Sequence, residues 1–523
     1  MIDMSFLHLL LEHYRITLKD LEARKASGSF CALKRPDGLS DFESVVSRIE
    51  KAIHEDEKVV LYGDYDVDGL TATAILFMAL QERGLRPGFF IPSRYVEGYG
   101  LCESRVREFH EKGYHLIICL DNGVSQIKAV DCVHMFSMDV LVIDHHEIAN
   151  PCATFDFLFH HRKSGFLDYD CSAASLSYFV SSRLLKRDDP YFATLAGLAV
   201  FSDVMPMVGN NLTFAKLMLG FLKQYHYPNL MFLLHKGEIS YSDISFYLIP
   251  SLNSVGRIRM DSLSTNNACR FLIEKEDAAK IEKRGSEILL CNSERKEIVR
   301  KSVFHDPLES EHFVSYICDS YSGLSGLYAN RILREKNKPT AIFCPAPDSK
   351  DEYVCSLRLP KGYHALDVFE KYKAYFLRFG GHERACGLTI LKKDYYLVST
   401  LLASELAKQS FDVQEHDDTI PITLEDLTEE NYRVLESFMP FGEGFEPPVF
   451  SCSVEKGSFQ VSPSGRYTCA YSSDKKGRVI VFQPFDDILK DASYFVVDGN
   501  YEKTEYKGAV FYQISAKKVR PVK

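Results

Sequence analysis

The chain has 523 residues, 46% of them hydrophobic and 26% charged, which is too long for one ordinary core and predicts about two to four domains. A net charge of −10 argues against a protein that merely coats nucleic acid, but not against one that binds it through local basic patches. The 14 cysteines lie without CxxC pairs or regular spacing, which points away from a zinc site or a disulfide framework and toward a reducing, cytoplasmic setting.

No apolar run is long enough to span a bilayer, so no membrane association is expected. Phe6–Leu11 is short, contains His8 and runs into Glu12, and reads as the start of an amphipathic helix, not a signal peptide. Residues 1–50 read as a helical extension. Residues 51–270 then alternate strands and helices. Val59–Tyr62, Leu116–Leu120 and Val140–Ile143 are short apolar strand patterns, and Leu70–Gln81 has helical composition. Such alternation predicts an α/β fold on a parallel sheet covered on both faces. From about Ser172 helices dominate, and Glu274–Arg300, within 271–310, reads as a long connecting helix. A second α/β region occupies 311–415, with a strand at Ala341–Cys344 and glycines at Gly380 and Gly381. Residues 416–448 read as a linker around Pro440–Gly444. The final 449–523 segment has short β-rich runs at Val479–Phe482, Tyr494–Val497 and Ala509–Ile514, and predicts a small basic β-barrel.

The chemistry concentrates where the first strands stop. The first runs into Asp64-Tyr65-Asp66-Val67-Asp68-Gly69, the second into Asp121-Asn122-Gly123, and the third into Asp144-His145-His146. Aspartates two apart on an extended backbone share a face, and parallel strands bring their carboxyl ends to one edge, where ligands bind in open α/β folds. Asp203, after the apolar run Ala193–Phe201, is a fourth contributor. One such aspartate is usually a turn residue or a helix cap. Several converging carboxylates repel one another unless cations neutralise them, and an Asp/His mixture suits Mn²⁺ or Mg²⁺. A pair of such ions serves phosphoester hydrolysis best.

The Asp64–Gly69 stretch followed by Asp144-His145-His146 resembles the signature of the DHH phosphoesterases. Further segments resemble the RecJ exonucleases among them: Ile91–Arg94 with Glu97–Gly100, Leu252-Asn253 with Gly256-Arg257, and Cys291–Arg295 in the connecting helix. Gly323, Gly326, Arg331, Ser356, Arg358, Phe379–His382 and Gly387 match their DHH-associated domain, and Pro440–Gly442 leads into their OB-fold. The resemblance implies Asp66, Asp68, Asp121, His145 and Asp203 as ligands of two divalent cations, Mn²⁺ or Mg²⁺, with Asp121 bridging. It implies His146, Asp144 and Asp64 as catalytic residues. Arg94, Asn253, Arg257, Ser356, Arg358, Gly380, Gly381 and His382 would bind substrate. The implied activity is exonucleolytic hydrolysis of single-stranded DNA from its 5′ end in repair and recombination. The implied partners are single-stranded DNA, a single-strand-binding protein and a recombination helicase, with the enzyme itself a monomer. Short oligonucleotides or cyclic dinucleotides, and a non-catalytic replication scaffold, are the competing readings. The chain departs from the family at Cys171–Ala174, normally glycine-rich, at Leu212 and at Phe445, and Tyr62 stands where related pyrophosphatases have a histidine ligand.

Overall fold

The computed structural model describes residues 4–148, 155–234, 239–382, 384–409, 419–462, 465–482, 492–506 and 508–522. The chain divides into two units, one of residues 34–205 and 217–413, the other of residues 1–33, 206–216 and 414–523.

The larger unit opens on a five-stranded sheet of β1 (Val59–Tyr62), β2 (Gly88–Phe90), β3 (Leu116–Leu120), β4 (Asp139–Ile143) and β5 (Phe157–Phe159). The order is β2-β1-β3-β4-β5 and every pairing is parallel. β1 and β3 are buried along their whole length, as unbroken apolar runs in a parallel sheet require. Because β1, β3 and β4 are neighbours, their three acidic ends meet on one edge.

The run Ala193–Phe201 is helical, within Pro190–Ser202, so Asp203 arrives from a helix C-terminus and not from a strand. Asp189 caps that helix and Pro190 occupies its first turn, in the stretch where the sequence predicts helices. The connecting helix spans Ala278–Lys301. Chain direction then changes earlier than expected, because Phe304–Glu309 already forms β6, the edge strand of a second sheet. Its sequence FHDPLE is half exposed and carries no apolar alternation that would reveal it. That sheet runs β10-β11-β9-β8-β7-β6, with β7 (Val314–Cys318), β8 (Thr340–Pro345), β9 (Glu352–Arg358), β10 (Arg378–His382) and β11 (Ala385–Leu391).

In the smaller unit, seven strands follow the order β12-β13-β17-β18-β16-β15-β14. They are β12 (Thr419–Ile422), β13 (Val449–Glu455), β14 (Gln460–Val461), β15 (Thr468–Tyr471), β16 (Gly477–Val481), β17 (Tyr494–Tyr506) and β18 (Ala509–Val522). This is the C-terminal β-sheet domain that the sequence predicts, with β12 and β14 as its outer strands among the described residues. β17 and β18 are 13 and 14 residues long because charged positions past the apolar runs pair strand to strand instead of ending them. Residues 416–448 are more than a linker: β12 and a helix at Glu429–Glu436 bury Ile420, Ile422, Val434, Leu435 and Phe438 in this core. The N-terminal helix Met4–Tyr14 adds Phe6, Leu10 and Leu11 to the same core. The Phe445 ring, at one of the departures, stacks on Tyr14 at 4.1 Å and carries the Arg24 guanidinium 3.7 Å above it. Leu212 is buried.

Candidate metal centre and phosphate pocket

Asp66 ends the extended chain after β1 by capping the helix Val67–Glu82, its Oδ1 accepting from Gly69 N at 3.2 Å. Asp68 therefore sits in the first helical turn. The three aspartates do not share an extended face as the spacing predicts; a cap and a turn of helix bring them to the same place. Gly69 permits this closeness, since a Cβ there would stand 2.5 Å from Asp64 N.

Asp121 sits at φ 63°, a left-handed conformation that aspartate tolerates better than most residues. The neighbouring Asn122 amide donates to Tyr62 O at 3.1 Å and Leu120 O at 2.9 Å, tying the tips of β1 and β3 together. From β4, His145 Nε2 lies 3.2 Å from Asp121 Oδ1, 3.6 Å from Asp68 Oδ2 and 3.7 Å from Asp203 Oδ2. Three overlapping groups have ligand atoms within 4.8 Å of one another: Asp121-His145-His146, Asp68-His145-Asp203 and Asp64-Asp66-Asp121. Asp121 belongs to two of them.

These groups fit divalent cations. Both carboxylate oxygens of Asp121, Oδ1 of Asp64 and Nε2 of His145 are buried without a hydrogen-bond partner. Burial, and then the neighbouring carboxylates, push Asp64, Asp121 and Asp203 well above the ordinary carboxylate range and Asp68 up to about 7. Burial and the adjacent His146 hold His145 well below the usual imidazole value, which leaves it neutral and able to ligate. Without cations or protons the cluster is self-repelling.

Asp144 plays a different part. Its Oδ1 accepts from the His145 and His146 amides at 2.7 and 3.1 Å and lies 2.8 Å from His146 Nδ1; its Oδ2 accepts from Val124 N at 3.2 Å. Burial alone would raise this carboxyl, but the bond and charge from His146 hold it below the usual range. The same contact overcomes the burial of His146 and lifts its imidazole to about 9. Asp144 thus orients and charges His146 from behind.

Two features of the site escape a reading of residue types. The Ala173 and Ala174 amides each donate to Asp68 at 2.7 Å, at the N-terminus of a helix that Ser172 caps. The departure at Cys171–Ala174 therefore keeps what backbone can supply, since two N–H groups need no particular side chain. His160 Nδ1 faces the amides of Arg162 and Lys163 at 3.2 Å, so its Nε2 carries the proton and donates to His146 O at 2.9 Å. The signal available for it was only the pair His160-His161 after a strand. Tyr62 stays in the core, its hydroxyl donating to Gly100 O at 3.1 Å.

A cavity of about 80 Å³ joins the acids to cations; Tyr65, Asp66, Arg94, Ser202, Asp203, Asn253, Gly256 and Arg257 line it. Asn253 is already engaged, accepting from Val67 N at 3.1 Å and donating to Ser202 Oγ at 3.3 Å, so it braces the Asp66 cap. The Arg94 guanidinium lies 4.3 Å over the Tyr65 ring with its Nε buried and unpartnered. Burial, then the charge of Arg94, lowers Arg257 to about 10, with Arg295 and Arg358 adding to the repulsion. Arg257 Nη1 donates to Gly323 O at 3.3 Å, and at Gly326 a Cβ would stand 2.8 Å from Arg358 Nη2. Ser356 Oγ lies 2.8 Å from Ser325 Oγ. Among the described residues none of Arg94, Arg257 and Arg358 has a carboxylate within 4.0 Å. Gly380 pairs with Gly387, which pairs with Ser356, so two residues without side chains border Ser356 on the exposed edge of the second sheet. Gly381 is the next residue on β10, and the side chain of His382 lies outside the described residues.

Residues 58–200 match the DHH family, N-terminal domain. Over 428 residues the chain is 26% identical to the single-stranded-DNA-specific exonuclease RecJ of Bacillus subtilis, covering 78% of this chain and 53% of that protein. The chain thus spans about half the length of that relative. It is also 26% identical to the Escherichia coli RecJ over 459 residues, 79% of this chain and 78% of the relative. Among solved structures, the Mn²⁺ complex of Thermus thermophilus RecJ aligns with a TM-score of 0.78 at 20% identity, over 98% of this chain and 78% of the other. An exonuclease RecJ bound to manganese aligns at 0.60 and 23% identity, over 73% of this chain and 98% of the other. At these identities the structural likeness is one of fold.

Proposed function

We propose that this chain, a RecJ-like member of the DHH superfamily, is a metal-dependent phosphodiesterase that removes nucleotides from the 5′ end of single-stranded DNA. The observation that carries the reading is one cavity with the acids Asp66 and Asp203 on one wall and the guanidiniums of Arg94 and Arg257, without a carboxylate partner among the described residues, on the other, next to the unpartnered buried carboxylate oxygens of Asp64 and Asp121. An anionic ester whose phosphates are shared between cations and arginines answers both walls.

Asp68, His145 and Asp203 would hold one divalent cation and Asp66 and Asp121, next to Asp64, a second, with Asp121 also within reach of His145. Bound Mn²⁺ or Mg²⁺ would neutralise the acids and supply Lewis acidity toward a phosphoryl oxygen and an attacking water. The chain's own groups do the rest. The Asp144-backed His146 presents a positive imidazole to the scissile phosphate, and His160 fixes the backbone that carries it. Arg94, Arg257 and Arg358, with Ser356, bind the terminal 5′ phosphate, because guanidinium forks match phosphate oxygens. The β-rich smaller unit would bind single-stranded DNA. Digestion of end-labelled single- and double-stranded DNA in Mn²⁺, Mg²⁺ or EDTA tests the assignment. Cation-dependent release of nucleotides from the 5′ end of single strands is expected. Cleavage restricted to dinucleotides, or none, would replace it with one of the competing readings.

A further inference from the structure

The helix that carries Asn253 and Arg257 continues backwards through a segment that the site does not use. Ile244–Leu248 forms a π-helical turn in which Ile249 N bonds Ile244 O, five residues back, and it leads directly into the helix Ile249–Ile258. Such turns are rare and cluster at functional sites. Ile244, Leu248, Ile249, Leu252 and Val255 are buried. The solvent side reads Phe246, Pro250, Asn253 and Arg257, spaced four, three and four residues apart, which places them on one face. Phe246 is 69% exposed and its neighbour Tyr247 44%, an uneconomical use of aromatic surface on an otherwise well-buried segment. The π-helical turn also packs on the helix Pro190–Ser202, which ends at Asp203.

Along this face the order is fixed. Arg257 stands on the terminal-phosphate side of the cavity, Asn253 beside Asp66, and Phe246 seven residues, or about 10 Å of helix rise, beyond Asn253 in the opposite direction. A strand that continues from Arg257 past Asn253 in the same direction along this face reaches Phe246. We propose that Phe246 is a base-stacking platform for the part of the strand that follows the scissile phosphate. This rests on the single-strand reading of the site. An aromatic ring stacks on any base, which suits an enzyme that must accept every sequence.

The chain contains no tryptophan, so Phe246→Trp installs a single fluorescent reporter at the platform. In EDTA, a single strand bearing bases should quench that tryptophan strongly, and an abasic strand of equal length should quench it far less. In Mn²⁺, Phe246→Ala should raise KM on a long strand about 5- to 150-fold more than on a dinucleotide, which ends before the platform. Phe246→Leu, which keeps bulk without a ring, should behave like alanine. Equal quenching by both strands, or KM values that leucine restores, would overturn the stacking role while leaving the exonuclease reading intact. If the unmodified protein neither binds nor cleaves single strands, the reading of the site falls and the platform with it.

Discussion

The acidic and the basic walls of the cavity are built from opposite charges under the same burial, yet they do not neutralise each other. Among the described residues no ion pair joins Asp64, Asp66, Asp68, Asp121 or Asp203 to Arg94, Arg257 or Arg358. The acids respond by holding protons, with Asp68 drawn up to about 7; Arg257, crowded by Arg94, falls to about 10. Salt bridges across the gap would have relaxed both walls and closed the site. Keeping them apart leaves each with an unmet electrostatic demand, cations on one side and phosphate on the other. Breaking either wall should therefore produce a different failure.

The largest effect is expected on the acidic wall. Asp121→Asn keeps the shape and tolerates the left-handed backbone, but removes the charge shared by two ligand groups. The rate at saturating Mn²⁺ should fall on the order of 10³-fold, the loss of several kcal/mol of charge stabilisation. Near-normal turnover would sink the metal assignment. The same residue separates metal binding from folding. Saturating Mn²⁺ at about 100 times its dissociation constant should stabilise the unmodified protein by ~2.7 kcal/mol, which shifts the melting of its larger unit up by roughly 3–4 °C. Asp121→Asn should lose much of that shift. In EDTA it should melt no lower than the parent, since the lost carboxylate had no hydrogen-bond partner to lose. A large drop in EDTA would mean that Asp121 is structural.

The basic wall should fail selectively. Each charge-assisted hydrogen bond to phosphate contributes about 1.5–3 kcal/mol, or about 10- to 100-fold. Arg358→Ala should lose that much in kcat/KM on 5′-phosphorylated strands and much less on strands with a 5′ hydroxyl. Equal losses would reassign Arg358 to internal backbone or to support of the domain.

The same contrast explains what the sequence made legible. Residue type and strand order sufficed for the acidic wall, because β1, β3 and β4 are adjacent and each apolar run ends in an acid. Parallel register then leaves the side chains nowhere else to meet. Asp203 was found by its chemistry, after an apolar run in the stretch that reads as helical and is helical. Arg94 and Arg257 came only from resemblance, since nothing about a lone arginine marks it as unpaired. β6 was missed because an edge strand carries little apolar alternation, and β12 because its alternation, Ile420 and Ile422, spans only four residues with Pro421 between them. The amides of Ala173 and Ala174 were invisible for a deeper reason: backbone groups have no residue type, and only the position of Ser172 as a helix cap aims them at Asp68.

That last feature gives the smallest and most discriminating test. Ala173 is the first residue of its helix, a position where proline is readily accepted because the N–H there usually has no partner in the helix. Proline also requires the preceding residue to be extended, and Ser172 already is, at φ −75° and ψ 155°. Ala173→Pro should therefore fold normally. It deletes one of the two amides on Asp68, however, and its ring carbon crowds Oδ2, which now lies 2.7 Å from the nitrogen. Groups that orient a metal ligand are typically worth 10- to 100-fold in affinity. With Ala174 N still in place, the lower end applies, about a 10-fold rise in the Mn²⁺ needed for half-maximal rate. The rate at saturating Mn²⁺ should recover, which distinguishes this variant from Asp121→Asn, and stability in EDTA should fall by no more than the loss of one buried hydrogen bond, about 1–3 kcal/mol. Ala173→Gly keeps the N–H and should leave the Mn²⁺ requirement where it is. If proline and glycine needed the same Mn²⁺ concentration, the helix N-terminus would only fill space behind Asp68, and the acidic wall would be held by its strands alone.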